Sequence, residues 1–553
     1  MLRGIWWAVL VAICLTTTGY RADAATARGS GQSTSIVSHN QYDRRFGATV
    51  NAIEEEMEAL EIAGAAVAII EGGEITLAAG FGSKQPHRDD PVEATTLFRI
   101  GSVTKTLTAI GLLQLVDRGL VDLGAPITDY VPEFYFAQDA SWAPSITPWH
   151  LLTHTSAVAD YFELETPGFY DDDALSRYFS GPYRESPLAH LMAPAGRMFN
   201  YSNPGYMLAG WVTEAASETN YRQYLEENVF APLGMTRTFF LPERVIADGD
   251  FAYGSALHWE TGEPSVLAPD SYDNGWGRPA GLAFSSVLDL AEVVKFLRAG
   301  QPDVLADDLR LAMQEPQVDT EWFGDLFHYG YGLMIQEGGF YHPEAPNFYL
   351  LRSIWHGGDV PGFAADIWYV PDLDFGFVAL TNASYMHLNT SFATALTTLC
   401  DMPAPAALPD LAMTPADYAR YVGRYHDQYN VGDVFVRADA DELTVEIPSL
   451  AQAGVEYEPT LAPSVRDNFV LYINSDPRME RLPLQVTFIL DDEGQPEYFR
   501  TRSFVAEYVG AIPPAPDVPR RFQRLQAMTQ VPIPDPRLYL PSPWVPFIVP
   551  PHD

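Results

Sequence analysis

Gly101-Ser102-Val103-Thr104-Lys105 opens an apolar segment, Leu107 to Val116. The hydrophobic residues cover nearly every face of a helix, which predicts a helix buried on all sides. Ser102 falls at its N-terminus, where unpaired backbone N–H groups and the positive end of the helix dipole favour developing negative charge. Lys105, three residues on, shares the same helix face at about 5–6 Å between β-carbons. Burial disfavours an ammonium ion and pushes a lysine towards the range where a neutral amine accepts protons; arginine cannot be moved that far. Lysine occurs only at positions 84, 105 and 295, so a lysine kept inside an apolar helix points to a need for a titratable amine. The spacing alone is weak, because an N-capping serine followed by a snorkelling lysine produces the same pattern.

Two distant stretches supply candidate partners. Tyr201-Ser202-Asn203-Pro204 follows Pro194-Ala195-Gly196, so a turn presents the tyrosine and asparagine just before an apolar helix, Gly205 to Ala216. A phenol beside an ammonium has its anionic form favoured, which would let Tyr201 exchange protons with Ser102 and a leaving group. Asn203 could orient a substrate amide. His356-Gly357-Gly358 lies between apparent strands, where the glycines allow close approach to the backbone. The N–H groups of Asp359 and Ser102 could then form an oxyanion site. His356 can be neutral or cationic near neutral pH, so its help to an anionic substrate group is conditional. Taken singly, a packed tyrosine, a capping asparagine and a strand-end glycine turn account for the same residues.

Together, Ser102-Val103-Thr104-Lys105, Tyr201-Ser202-Asn203 and His356-Gly357-Gly358 resemble the Ser-x-x-Lys, Tyr-x-Asn and Lys/His-x-Gly motifs of class C beta-lactamase-like serine hydrolases, in the same order. Leu151 to Ser156, Gly281 to Ser286 and Asp289-Leu290 extend the resemblance over roughly residues 45–400. It implies an α/β fold in which helices flank an antiparallel sheet, with a helical insertion over about 105–280 forming the other wall of a cleft. It further implies an acyl-enzyme on Ser102, with Lys105 and Tyr201 as proton carriers, Asn203, His356, Gly357 and Gly358 binding substrate, and no cofactor. His154 is tempting as a base, but in similar proteins its segment is chiefly structural. Two departures stand out: His356 replaces the lysine of true lactamases, and Ala157 replaces a glycine. Both point away from efficient antibiotic hydrolysis, and the His-x-Gly variant resembles esterases, D-amino-acid peptidases and broad-specificity hydrolases of the same family. A catalytically idle penicillin-binding-like recognition protein and a weak beta-lactamase are the competing readings.

The rest of the chain sets bounds. A chain of 553 residues, 47% hydrophobic, has room for two to four domains. Its formal net charge of -39 repels nucleic acid and anionic membranes, which argues against polyanion partners, and the resemblance implies a small-molecule ester or peptide substrate. Arg3, the apolar run Ile5 to Leu15 and Ala22-Asp23-Ala24 read as a signal peptide over residues 1–24, predicting a periplasmic or secreted protein, with a membrane contact only if the segment stays uncleaved. The two cysteines, Cys14 and Cys400, have no zinc-like neighbours, so no metal is predicted. Strands are expected around Ala65 to Ile70, Ile75 to Ala79, Tyr331 to Ile335, Ala364 to Val370 and Phe375 to Thr381. A proline-rich linker over 401–413 leads to Thr414-Pro415-Ala416-Asp417, which announces a short helix to about Tyr425. Alternating segments from Val434 to Val509 then predict a small β-barrel or sandwich domain over 414–530, before a proline-rich tail, 531–553.

Overall fold

The computed structural model describes residues 43–512, apart from 137–144, 161–165, 187–188, 258–263, 342–346, 408, 440 and 475–481. The expected signal segment and tail lie outside these residues.

The hairpin expected around Glu71-Gly72-Gly73-Glu74 joins β1 (Gly64–Glu71) to β2 (Glu74–Gly82). Gly72 and Gly73 both take positive φ, which the tight turn requires and other residues resist. Six further strands complete an antiparallel sheet: β3 (Val318–Asp319), β4 (Phe327–Tyr329), β5 (Met334–Gln336), β6 (Ser353–Val360), β7 (Phe363–Val370) and β8 (Phe375–Thr381). Their order is β2-β1-β8-β7-β6-β5-β4-β3. Only Met334 and Ile335 of the expected Tyr331 to Ile335 segment are strand, since Tyr331 to Leu333 form a bend.

The unbroken apolar run of β1 follows from burial on both faces of the sheet. Ala66, Ala68 and Ile70 face one core, shared with helices α2 (Thr104–Asp117), α3 (Asn203–Ser217) and α4 (Val287–Ala299), while Ala65, Val67 and Ile69 face a second core. That second core is closed by α1 (Gly47–Ala59) and α5 (Asn389–Leu399). Within it the buried Glu56 carboxylate of α1 accepts from the backbone N–H groups of Thr390 and Ser391, at 2.9 and 2.7 Å, capping the N-terminus of α5. As its pattern predicts, α2 is buried from Thr104 to Leu115 on every face.

Downstream, residues expected to be a linker pack against the first unit: Ala406 N–H donates to Phe348 O at 2.8 Å, and Leu411 is buried in the second core. The Thr414-Asp417 capping box starts a helix as expected, but it is a 3₁₀ turn, Pro415–Tyr421, and stops short of Tyr425. Gly423 instead begins a strand, and the Tyr425 hydroxyl donates back to Tyr421 O at 2.7 Å. The second sheet contains β9 (Gly423–Asp427), β10 (Gly432–Asp439), β11 (Glu442–Glu446), β12 (Ala462–Pro463), β13 (Asn468–Ile473), β14 (Leu482–Leu490), β15 (Pro496–Arg500) and β16 (Val505–Gly510). Their order is β11-β10-β9-β16-β15-β14-β13-β12. Residues 457–461 bridge its ends, pairing Thr444 with Thr460 and Tyr457 with Ile473, so the sheet is a nearly closed barrel around its own apolar core.

Candidate active site

Ser102 lies in a 3₁₀ turn, Gly101–Val103, that feeds directly into α2. The turn is fixed by the Thr104 hydroxyl, which donates to Gly101 O at 2.7 Å. Gly101 takes φ +50°, and a β-carbon there would fall 2.4 Å from Asp359 N; one at Gly358 would fall 2.8 Å from Ser102 N. Glycine is therefore obligatory on both sides of this contact, and the contact brings the backbone nitrogens of Ser102 and Asp359 to the same place. The two expected oxyanion donors are thus neighbours. Among the described residues, the pairing of β6 with β5 ends at Trp355, so no strand continues alongside the stretch from His356 to Val360 on that side.

Lys105 is fully buried, and its Nζ lies 2.9 Å from Ser102 Oγ, 2.7 Å from Asn203 Oδ1 and 2.6 Å from Ala280 O. Two of these oxygens can only accept. A neutral amine satisfies them with its two N–H groups and keeps its lone pair for the serine hydroxyl. Burial, reinforced by the nearby Arg502 guanidinium, pushes the lysine well below the usual amine range and favours that neutral form.

Tyr201 comes from the loop before α3, whose N-terminus is capped by Ser202 Oγ accepting from Gly205 N–H at 3.1 Å. Lys105 Nζ sits 4.9 Å from the centroid of its ring. The expected bias towards phenolate is not what results. Burial pushes the phenol above its ordinary range, and the opposing pull of Arg502 and of the hydrogen bond with Ser102 is smaller. Tyr201 is a neutral phenol at rest, suited to donating a proton.

His356 is buried, and its Nδ1 is 2.6 Å from Gly357 O. A carbonyl only accepts, so Nδ1 carries the proton, and Nε2 accepts from the Tyr329 hydroxyl at 3.1 Å. Burial, with a smaller push from Lys105 when that amine is protonated, lowers His356 to about 3, so the conditional cation expected there is absent at neutral pH. His154 is also buried and neutral; its Nδ1 accepts from Ser202 N–H at 3.0 Å and its ring lies 4.0 Å from that of Tyr201. It supports the tyrosine loop and does not reach Ser102 by any hydrogen bond among the described residues.

The structure thus gathers Ser102, Lys105, Tyr201, Asn203, His356, Gly357, Gly358 and Asp359 around one crevice. Sequence reasoning missed four neighbours. Tyr329 engages His356; Ala280 O engages Lys105; Asp160 Oδ1 accepts from Asn203 N–H at 2.7 Å; and Arg502 Nε donates to Asp160 Oδ2 at 2.6 Å. Asp160 sits just past the Leu151 to Ser156 segment, so its place beside a recognised stretch was a usable signal. Arg502 had none.

The Beta-lactamase family profile matches residues 50–398. Protein flp of Staphylococcus aureus (strain NCTC 8325 / PS 47) is 24% identical over 390 residues, covering 69% of this chain and 70% of that protein. Among solved structures, the octameric penicillin-binding protein homologue from Pyrococcus abyssi superposes with a TM-score of 0.54 at 24% identity, covering 83% of this chain and 99% of that one. The D-amino acid amidase from Ochrobactrum anthropi SV3 gives 0.52 at 23% identity, covering 65% and 99%. The chain belongs to the beta-lactamase family, a fold of serine hydrolases.

Proposed function

We propose that this protein is an active serine hydrolase that cleaves an ester or amide bond, D-amino-acid amides and peptides included, through an acyl-enzyme on Ser102. The observation that carries the reading is the buried amine of Lys105, 2.9 Å from Ser102 Oγ and within hydrogen-bonding distance of Asn203 Oδ1 and Ala280 O, two oxygens that can only accept. As Ser102 Oγ attacks the substrate carbonyl, its proton passes to Lys105 Nζ. The carbonyl oxygen gains negative charge between the N–H groups of Ser102 and Asp359. The Tyr201 phenol donates its proton to the departing oxygen or nitrogen and is reprotonated from Lys105. Water then attacks the ester on Ser102, releasing the acid and returning the proton to the serine.

The state of His356 narrows the substrate. With His356 neutral and its Nε2 occupied by Tyr329, no cation at that position meets a substrate carboxylate. This supports acyl groups that are uncharged there and argues against efficient beta-lactam turnover. The likeness to a D-amino acid amidase supports amide substrates in particular. Export to the periplasm or medium is part of the same proposal, supported by Arg3, the apolar run Ile5 to Leu15 and Ala22-Asp23-Ala24.

A fluorescent fluorophosphonate tests the reading. The wild type takes one label and Ser102→Ala takes none; a folded wild type that stays unlabelled reduces the protein to an idle binding module.

A further inference from the structure

The C-terminal barrel reaches the crevice through the hairpin between β15 and β16. Between β15 and β16 the chain turns tightly at 501–504, held by Thr501 N–H donating to Phe504 O and Phe504 N–H donating to Thr501 Oγ1, both at 2.9 Å. From this turn three contacts converge on the loop that carries Tyr201 and Asn203. Arg500 Nη1 donates to Phe199 O at 2.6 Å, and Asn200 Nδ2 donates to Arg502 O at 3.4 Å. Arg502 Nε donates to Asp160 Oδ2, whose other oxygen holds the backbone N–H of Asn203. The Arg502 guanidinium carbon lies 4.6 Å from the centroid of the Tyr201 ring. Its side chain is 13% exposed, as is that of Asp160, so this ion pair is sheltered from water.

We propose that this hairpin is a working part of the Ser102 site, in which Arg502 is a positioning residue that fixes the Tyr201 phenol and the Asn203 backbone and supplies permanent positive charge beside them. The proposal rests on the reading of Lys105 and Tyr201 as proton carriers. A guanidinium suits the position because it keeps its charge out of water and offers several N–H donors in one plane, whereas a lysine paired with Asp160 would keep the charge but not that fork. Its field acts on both carriers in the useful sense: it favours the neutral amine at Lys105 and opposes the effect of burial on the Tyr201 phenol. Among the described residues, the other groups facing the pair are Ser102, the phenols of Tyr206 and Tyr329, the neutral rings of His154 and His356, and the carboxylates of Asp160 and Asp359. Asp160 works against Arg502 on Lys105. It therefore holds the guanidinium in place while offsetting part of its charge.

The test is the pH dependence of the acylation burst with p-nitrophenyl acetate, from about pH 5 to about pH 9, for wild type, Arg502→Gln and Arg502→Lys, with Ser102→Ala as the blank. Removing the charge raises the pH at which Lys105 becomes a neutral amine. Arg502→Gln is therefore expected to move the rising limb up by about one pH unit and to slow acylation near neutrality about tenfold. Arg502→Lys is expected to keep most of the wild-type limb. Asp160→Asn moves the limb the other way, and serves where Arg502→Gln does not fold. The proposal is overturned if the glutamine and lysine variants lose rate equally with an unmoved limb, as for a merely structural contact. It is also overturned if only KM changes, and only for substrates bearing a carboxylate, which would make Arg502 a substrate anchor. A folded wild type that shows no burst removes the reading of the site and this proposal with it; a normal wild-type burst with an unaltered Arg502→Gln profile removes this proposal alone.

Discussion

Two histidines flank β6 on opposite faces, and burial acts on them with opposite results. On the face that meets Ser102, His356 is enclosed with no anion in contact, and it is neutral. Behind the strand, where a β-carbon on Gly357 would meet His387, that ring lies 2.7 Å from Asp366 Oδ2 through Nδ1 and 3.1 Å from Asp359 Oδ1 through Nε2. Carboxylates only accept, so both nitrogens carry protons and His387 is an imidazolium. Burial opposes that charge, yet Asp366 and Asp359 outweigh it and raise His387 well above the ordinary histidine range. Burial therefore sets the direction only where no counter-charge is in reach. One ion cluster stiffens the back of the strand whose Asp359 N–H faces Ser102, and a neutral ring lines the front.

The comparison breaks most visibly at His387. Its raised pKa contributes stability that is fully present below the unfolded histidine value of about 6.5 and is lost as pH rises through the folded one. Removing the imidazolium leaves two sheltered carboxylates uncompensated. His387→Gln is expected to destabilise the fold by about 3 kcal/mol near pH 6, read from urea midpoints, with the difference shrinking at alkaline pH. A variant as stable as the wild type at pH 6 would dissolve the contrast.

An effect that is smaller near pH 6, and of opposite pH sense, sharpens it at His356. Its folded pKa of about 3 lies below the unfolded value, so the unfolded chain binds the proton first. Stability is then intact above about pH 6.5 and falls by about 1.4 kcal/mol per pH unit towards about pH 3. The neutral His154 adds a loss of the same sign. His356→Gln should make the decline of the melting temperature with acid shallower, whatever it does to the absolute value; an unchanged acid slope would mean that His356 is protonated in the fold.

What could be read from the sequence divides along similar lines. Ser102 and Lys105 were legible because one turn of helix sets their spacing, and α2 is buried because its residues are apolar on every face. The Gly72-Gly73 turn and Thr414-Asp417 cap were legible for the same local reason. The end of the Pro415–Tyr421 turn was not, since it is fixed by Gly423 joining a sheet with strands some ten and eighty residues downstream. The resting state of Tyr201 was misjudged because its charge depends on how dry the assembled crevice is. Tyr329, Arg502 and the His387 cluster left no trace, as each meets its partners only after strands distant in sequence have paired.

The central claim, that a neutral amine at Lys105 takes the proton of Ser102, is tested most directly by the acylation rate of Lys105→Arg. The substitution removes the titratable lone pair and puts a fixed positive charge in its place. Acylation by p-nitrophenyl acetate is expected to fall by about 10²- to 10⁴-fold in a protein that still folds. An arginine variant acylated at a near wild-type rate would contradict the account.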